Sequence, residues 1–408
     1  MKLFFAAQFL PYPLVEGTSI NIFNRLDRLR ARHDVTLFAP LRRPFDLDSL
    51  TFLRERGWTV ETVSRPPGIG RFSAVRSRIK AFCSPIPMHW VMSWDETIGL
   101  DMEKQIRARA PDVVIVEHLV MTRFLPYIKR ATNVPIIFWD HNVEALWEAQ
   151  AARQFGFTLT GLLRRAQSGK VRRRELKMLD AFDMTIAVTD QDRLTLQQMA
   201  PAARVRFVPI GVDTAYFVPQ PEAEEDDTIV FTGALNTGTT VDGIKFLVNE
   251  ILPHVFRERP GARVEIVGRE PAASILALAD PPRVSVVRDV PDVRPYMAKA
   301  AVFVVPIRPH SGVRLKILEG FAMGKATVST GLAADGLDIE DGAHLLIRDD
   351  ARSFADAIVK LLEDKAERRR LAAAGRELVE REYSWESACA KLESHLEELL
   401  GAKVSGVG

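Results

Sequence analysis

Cysteine is scarce: Cys83 and Cys389 are the only two in 408 residues, and they lie far apart. They form neither a disulfide framework nor a zinc-ligand spacing, usage that suits a reducing cytoplasm. No run approaches 18 consecutive apolar residues, so no membrane-spanning helix is expected. No Gly-x-Gly-x-x-Gly follows the first apolar run, which disfavours a nicotinamide-dependent oxidoreductase. No glycine loop ends in Gly-Lys-Ser/Thr, which removes a Walker-type nucleotidase. Repeats and low-complexity tracts are missing too. The opening MKLFFAAQFLPYP has one lysine and a short apolar run. Pro11 and Pro13 stand where a leader's small-residue cleavage site would fall, so a first buried strand fits better.

Net charge is also small, +2 from 55 Lys+Arg and 53 Asp+Glu. The small total hides a gradient. Residues 1–208 hold 31 basic and 21 acidic side chains, a net of +10, and residues 209–408 hold 24 and 32, a net of −8. Such asymmetry points to an anionic partner for the first half, unless it only solvates exposed helices. Basic residues concentrate in Leu163–Leu179, with seven Lys/Arg, and in Arg71–Lys80, with four. Basic helices of this kind can rest on anionic lipid; no nucleic-acid reader motif accompanies them, so nucleic acid is not expected as a partner.

What the chain has is alternation. Short Val/Ile-rich runs, from Lys2–Ala7 through Asp34–Phe38, Trp58–Val63, Asp112–Val116, Pro135–Phe138 and Met184–Val188, are separated by helical patterns. The second half repeats this with Thr228–Phe231, Arg263–Val267, Val284–Val287, Val302–Val305 and Ala326–Ser329. Helices are expected at Ser19–Arg32, Leu162–Leu179, Gly243–Glu258 and Val313–Ala322. Continuous apolar strands between helices indicate parallel sheets covered on both faces, so each half reads as a doubly wound α/β unit. The boundary falls at 209–227, a Pro-rich acidic stretch with little periodicity that reads as an exposed linker. The expected domains are 1–208 and 209–382, with a C-terminal helix and loose tail over 383–408 crossing back to the first domain.

Open α/β sheets bind ligands beyond the carboxyl ends of their strands, so the loops there are the places to search. After the first strand, Gly17 permits close backbone approach at a helix start, an anion-binding arrangement that a plain turn would share. Two histidines follow strands, His118 beside Glu117 and His141 beside Asp140, with Asn142 and Glu144 just beyond. A lone histidine is usually structural; two at strand ends, each next to a carboxylate, point to a functional role. In the second half, Phe231-Thr-Gly-Ala-Leu-Asn-Thr-Gly places Gly233 and Asn236 in a phosphate-loop setting, though not a Walker one. The densest segment is VPIRPHSGVRLKILEGFAMG, with Ser311, Gly312, Arg314, Lys316 and Glu319 around a helix start. Cations there oppose the helix dipole unless an anion offsets them, and a diphosphate would meet both side chains and the helix amides. The plain reading is a surface Lys316–Glu319 pair worth a few tenths of a kcal/mol.

The segments GVRLKILEGFAMGKATVSTGLAADGLD, FTGALNTGTTVDGIKFLVNEILPHVF, VPIGVDTAYF and WDHNVEALWEAQ resemble the retaining GT-B glycosyltransferases of the group 1 type, family four. The likeness is greatest to bacterial capsule and exopolysaccharide sugar transferases, and the matching segments run in the family's order. The resemblance implies two Rossmann-like domains facing across a cleft, a nucleotide-sugar donor on the second and a glycan or lipid-linked acceptor on the first. It implies that Glu319 addresses the donor ribose, that Gly17 lies near the diphosphate, that His118 (or His141) lies near the sugar, and that Arg288-Asp-Val-Pro-Asp292 holds the base. Ser311 stands where the family has its first motif glutamate, and the usual Arg and Lys after the first strand of the second domain are missing. Arg314 and Lys316 take over the diphosphate, with His118, as the candidate catalytic set. No resident cofactor and no metal are expected, since Asp190-Gln-Asp192 falls at a first-domain helix start. The expected product is a sugar transferred with retention, in surface polysaccharide synthesis, by a cytoplasmic enzyme peripheral on the inner membrane face. A sugar-nucleotide epimerase of the same fold, or a non-catalytic nucleotide- or glycan-binding member, is the alternative.

Overall fold

The computed structural model describes residues 1–14, 17–43, 45–64, 95–154, 156, 158–308 and 315–405. The chain divides into two compact units, Met1–Pro209 with Cys389–Gly408, and Ile210–Ala388.

The first unit is built on β1 (Lys2–Ala6), β2 (Asp34–Leu41), β3 (Thr59–Ser64), β4 (Val113–Glu117), β5 (Ile136–Asp140), β6 (Met184–Ala187) and β7 (Val205–Phe207). They pair in parallel in the order β3-β2-β1-β4-β5-β6-β7. Between them run α1 (Gly17–Leu29), α2 (Asp46–Glu55), α3 (Glu96–Arg109), α4 (Leu125–Ala131), α5 (Glu144–Gln154), α6 (Leu159–Leu179) and α7 (Asp190–Met199). Every residue of β4 and β5 is buried, which explains why both read as unbroken apolar runs. Side chains cap the helices where expected chemistry allows: Asp95 accepts the Thr97 N–H at α3, and Thr189 accepts the Asp192 N–H at α7.

The second unit holds β8 (Thr228–Ala234), β9 (Arg263–Arg269), β10 (Val284–Arg288), β11 (Val302–Val305), β12 (Thr327–Ser329) and β13 (Leu346–Ile347). The order is β10-β9-β8-β11-β12-β13, again parallel in every pair. Its helices are α8 (Gly238–Phe246), α9 (Leu252–Glu258), α10 (Ala273–Leu276), α11 (Arg294–Lys299), α12 (Leu315–Ala322), α13 (Gly331–Ala334), α14 (Ala351–Glu363) and α15 (Lys365–Glu382), and α16 (Trp385–Ser405) closes the chain. A single buried cluster from Val212 to Tyr383 forms the core.

The two doubly wound parallel sheets are those the alternation implied. Two strands escape the sequence pattern: β7 and β13 have three and two residues, too short for any periodicity to register. The helix expected over Gly243–Glu258 starts earlier, at Gly238 behind the Thr237 cap, and is interrupted by a π turn at Leu247–Ile251. Pro253, in the first turn of α9, has no N–H to give to the preceding turn, so the ladder widens there. The stretch read as an exposed linker is anchored to the second unit. Val212 is in the core, and Arg376 donates to the carbonyls of Thr214 and Phe217.

Strand order reverses between β1 and β4 in the first sheet and between β8 and β11 in the second. Ligands of doubly wound folds lie beyond the strand ends at such switch points.

Candidate functional site

At the first switch point the ends of β4 and β5 and one face of α1 carry a buried polar network. Helix α1 buries Ile22, Leu26 and Leu29, and Arg25 shares their stripe at 1% exposure. Its guanidinium carbon lies 3.5 Å from the centroid of the Trp139 ring, and Nη1 donates to Asn21 Oδ1 at 3.3 Å. Nη2 donates to Glu117 Oε1, forming an ion pair in which the carboxylate is wholly buried. The other carboxylate oxygen, Oε2, lies 2.7 Å from His141 Nε2. Burial alone would raise the Glu117 pKa, but the Arg25 charge and the His141 hydrogen bond outweigh it and hold the carboxyl at about 2. An ionised carboxylate only accepts, so His141 carries its proton on Nε2.

His141 stacks on His118, ring centroids 4.4 Å apart and planes 24° from parallel. Phe9, just past β1, packs on His118 at 5.3 Å. His118 is half-buried, and its Nδ1 is enclosed with no hydrogen-bond partner. Its backbone is at φ 71°, ψ 143°, close to a region that glycine alone occupies readily. The His118 N–H donates to the Trp139 carbonyl and its own carbonyl accepts from Met121, fixing that conformation. Burial first, then the neighbouring His141, hold the His118 pKa far below the ordinary histidine value, so the ring is neutral at pH 7.

The remaining first-unit candidates sit nearby in sequence but do different things. Gly17 is the exposed first residue of α1. Asn142 is exposed. Glu144 opens α5, and its N–H and that of Ala145 donate to the two carboxylate oxygens of Glu175, a buried residue of α6, at 2.8 and 3.2 Å. Burial pushes the Glu175 carboxyl up to about 8. Asp140, also buried, has an Oδ2 without a partner. Burial and then the neighbouring carboxylates of Glu175, Glu144 and Asp192 raise its pKa well above the usual range.

At the second switch point, Gly233, next to the last residue of β8, lies beside the first turn of α12. A Cβ placed on Gly233 would fall 2.6 Å from Lys316 Cε and 2.8 Å from its Nζ. The missing side chain is what lets the ammonium lie on the strand end. Across the sheet, Gly233 faces Gly268, where a Cβ would meet the Gly233 carbonyl oxygen at 1.8 Å. Lys316 Nζ also stands 5.9 Å from the Phe231 ring centroid. Glu319, one turn on, is half-buried; burial raises its pKa and Lys316 opposes the rise. Asn236 donates to Glu270 Oε2 at 2.6 Å, and the Glu270 N–H donates to Asp289 at 2.8 Å. Arg288 is exposed at the end of β10, in register with Gly268. Ser311, Gly312 and Arg314 lie outside the described residues, as do Cys83 and the basic segment Arg71–Lys80.

Comparison with known proteins follows the same division. Residues 15–216 match the model described as Glycosyltransferase Family 4, and residues 226–364 match the one described as Glycosyl transferases group 1. The chain belongs to the family 4 glycosyltransferases. Among curated relatives, the GDP-mannose-dependent alpha-(1-6)-phosphatidylinositol monomannoside mannosyltransferase of Mycobacterium tuberculosis is 28% identical over 255 residues, covering 53% of this chain and 62% of that protein. D-inositol 3-phosphate glycosyltransferase of a Nocardioides species is 30% identical over 243 residues, 52% of this chain and 53% of that protein. The match thus spans just over half the length of these relatives. Sucrose-phosphate synthase from Thermosynechococcus elongatus superposes with a TM-score of 0.69 at 16% identity, covering 98% of this chain and 100% of that one. Anabaena HepE in complex with UDP gives 0.71 at 12%, with 98% and 100% covered. At these identities the two structures speak to the fold, which is GT-B.

In this family 4 glycosyltransferase the structure brings His118 and His141 together in one unit, and Gly233, Lys316 and Glu319 in the other. Arg25 and Asn21 were not singled out from sequence, and Glu117 was seen only as a neighbour of His118. A signal was present. Positions 22, 25, 26 and 29 form one helical stripe, so an arginine there is a buried charge that needs a carboxylate. Glu117 is the one charge in the run VVIVE.

Proposed function

We propose that the chain transfers a sugar from a nucleoside diphosphate sugar to a glycan or lipid-linked acceptor, with retention of configuration. The observation that carries this reading is the seating of Lys316 on Gly233 at the end of β8, at the start of α12. As the donor bond breaks, negative charge grows on the leaving diphosphate. An ammonium seated at that point stabilises it, and such preorganised charge supplies much of a transferase's rate. Arg314 adds a second cation in this reading, so the leaving charge is assigned to side chains rather than to a metal. Glu319 accepts from the ribose hydroxyls. His118, neutral and enclosed on one side, hydrogen-bonds a hydroxyl of the transferred sugar. Curated relatives that use GDP-mannose, and a solved structure with UDP-glucose, make those two donors the first to try.

Surface polysaccharide synthesis is the pathway proposed, with the first unit resting on an anionic membrane. No helix among the described residues is long and apolar enough to cross one. Support for surface binding comes from α6, where Leu162 and Leu163 are exposed together with Arg165, Arg172, Arg173 and Lys177. Each basic residue near such a surface is worth roughly 1 kcal/mol.

The test is a screen of nucleotide sugars for thermal stabilisation, followed by turnover with the best one in the presence of a chelator. A ligand at a hundred times its Kd stabilises by about 2.7 kcal/mol. Lys316→Ala and Glu319→Ala are expected to cut turnover at least about a hundredfold. Near-normal turnover of both variants overturns the assignment, and donor conversion without any acceptor product supports an epimerase instead.

A further inference from the structure

The polar network beneath His118 is larger than a structural role requires. Burying an arginine and a glutamate costs several kcal/mol per ion before their attraction is counted, and apolar residues of similar volume fill such a space as well or better. Here the ionic pair leads by contact from one group to the next: Trp139 and Asn21 hold Arg25, Arg25 holds Glu117, Glu117 holds His141, and His141 lies flat on His118. Three separate parts of the fold contribute, α1, the end of β4 and the residue after β5. His118 itself has no hydrogen bond at Nδ1 and sits in a strained backbone conformation. Its ring is packed between Phe9 and His141 and lies close to the backbone carbonyl of Glu117. Of the two packed rings, only His141 is tied by a hydrogen bond to a charged group.

We propose that Arg25, Glu117 and His141 are positioning residues that set the orientation of the His118 ring for sugar transfer. The inference rests on the role given to His118 above. Glu117 fixes the tautomer and plane of His141, and the plane of His141 fixes that of His118. A third group orienting a ring that in turn serves the reacting centre is the logic by which catalytic histidines are held in other enzymes. Arg25 keeps Glu117 ionised, so that it accepts from His141 rather than donating to it.

The experiment compares wild type with Glu117→Gln, His141→Phe and His141→Gln in the full chain. UDP-glucose and GDP-mannose serve as donor probes, and hydrolysis to water is the readout where no acceptor is known. Glu117→Gln and His141→Phe should lower kcat about tenfold or more with donor KM within about twofold, because the donor's phosphates are held elsewhere. His141→Phe keeps an aromatic face but loses the bond to Glu117. His141→Gln restores a donor to Glu117 and should recover part of its stability but not kcat, since the stacked ring is gone. Long-range ¹H–¹⁵N spectra of labelled histidine rings give a second readout that needs no turnover. Wild type should show His141 protonated at Nε2, and Glu117→Gln should move the ring nitrogens of His118 as well as His141 while the amide spectrum stays native. If Glu117→Gln fails to fold, His141→Phe carries the same comparison. Unmoved His118 nitrogens, or kcat within twofold of wild type in the folded variants, overturn the proposal. Absence of nucleotide binding and donor turnover in wild type overturns the transferase reading instead, and the ring spectra then decide the positioning contact on their own.

Discussion

Lys316 occupies the space that a side chain at position 233 would need: a Cβ there would come within 2.6 Å of its Cε. The contact is with the far end of a flexible chain, so Gly233→Ala displaces the ammonium, and its remaining cost is the backbone strain of a side chain at φ 159°. The expected outcome is a variant that loses about 1 kcal/mol of stability and whose nucleotide-sugar turnover falls about tenfold or more. Gly268→Ala is the contrasting case, because its Cβ would strike the Gly233 carbonyl at 1.8 Å and only a backbone shift can relieve that. It should cost roughly 2 kcal/mol or more in urea unfolding. Equal stability losses in the two variants would contradict this division.

His118 stands at φ 71°, where an ordinary side chain is strained and glycine is not. Both His118→Ala and His118→Gly remove the ring and should abolish most transfer. Their stabilities should differ in the reverse of the usual order, with the glycine variant the more stable by about 1 kcal/mol or more. Denaturant midpoints of the two variants measure it. An alanine variant as stable as the glycine one would show that the backbone relaxes once the ring is gone.

The sequence made the architecture readable because its strands are buried on both faces and its helices are striped. VVIVE and IIFWD can hardly be anything but central strands. The places of His118, just past a strand, and of Lys316, on the helix that follows β11, were also readable from the alternation. Contacts between elements distant in sequence were not. Arg25 and Glu117 are 92 positions apart, and no local pattern pairs them. The closeness of Gly233 and Lys316 likewise depends on β8 and β11 lying side by side, which only the sheet order supplies.

Arg25 and Glu117 should be strongly coupled. Removing either charge alone leaves the other buried and unpaired, a loss of about 3–5 kcal/mol, so Arg25→Met and Glu117→Leu should each be severely destabilised. The double variant should recover most of that loss, giving a large favourable coupling in the double-mutant cycle. The same pair sets an acid limit. The folded Glu117 pKa, about 2, lies below the unfolded value near 4.5, so its contribution is complete above pH 4.5 and is lost as pH falls toward 2. Additive single losses in the cycle would mean that the two charges are solvated separately.

The carboxylates under α5 act in the opposite direction. Asp140 and Glu175 are buried, Glu144 and Asp192 lie close by, and Glu175 spends both oxygens on the first N–H groups of α5. A folded Glu175 pKa of about 8 against an unfolded one near 4.5 means that the folded state holds a proton the unfolded chain has released. Stability must then fall as pH rises from about 4.5 to about 8 and level off beyond, by up to about 1.4 kcal/mol per pH unit for each proton held. Asp140, raised in the same direction by the same burial, steepens the decline. Glu175→Gln cannot ionise, so its stability profile over that window should be shallower by about one proton, even if its absolute stability drops through a poorer match to the two N–H groups. Urea unfolding at pH 5, 6, 7 and 8 for wild type and variant gives the two slopes. Parallel slopes would show that Glu175 is ionised in the fold and that its charge is balanced by the α5 amides alone.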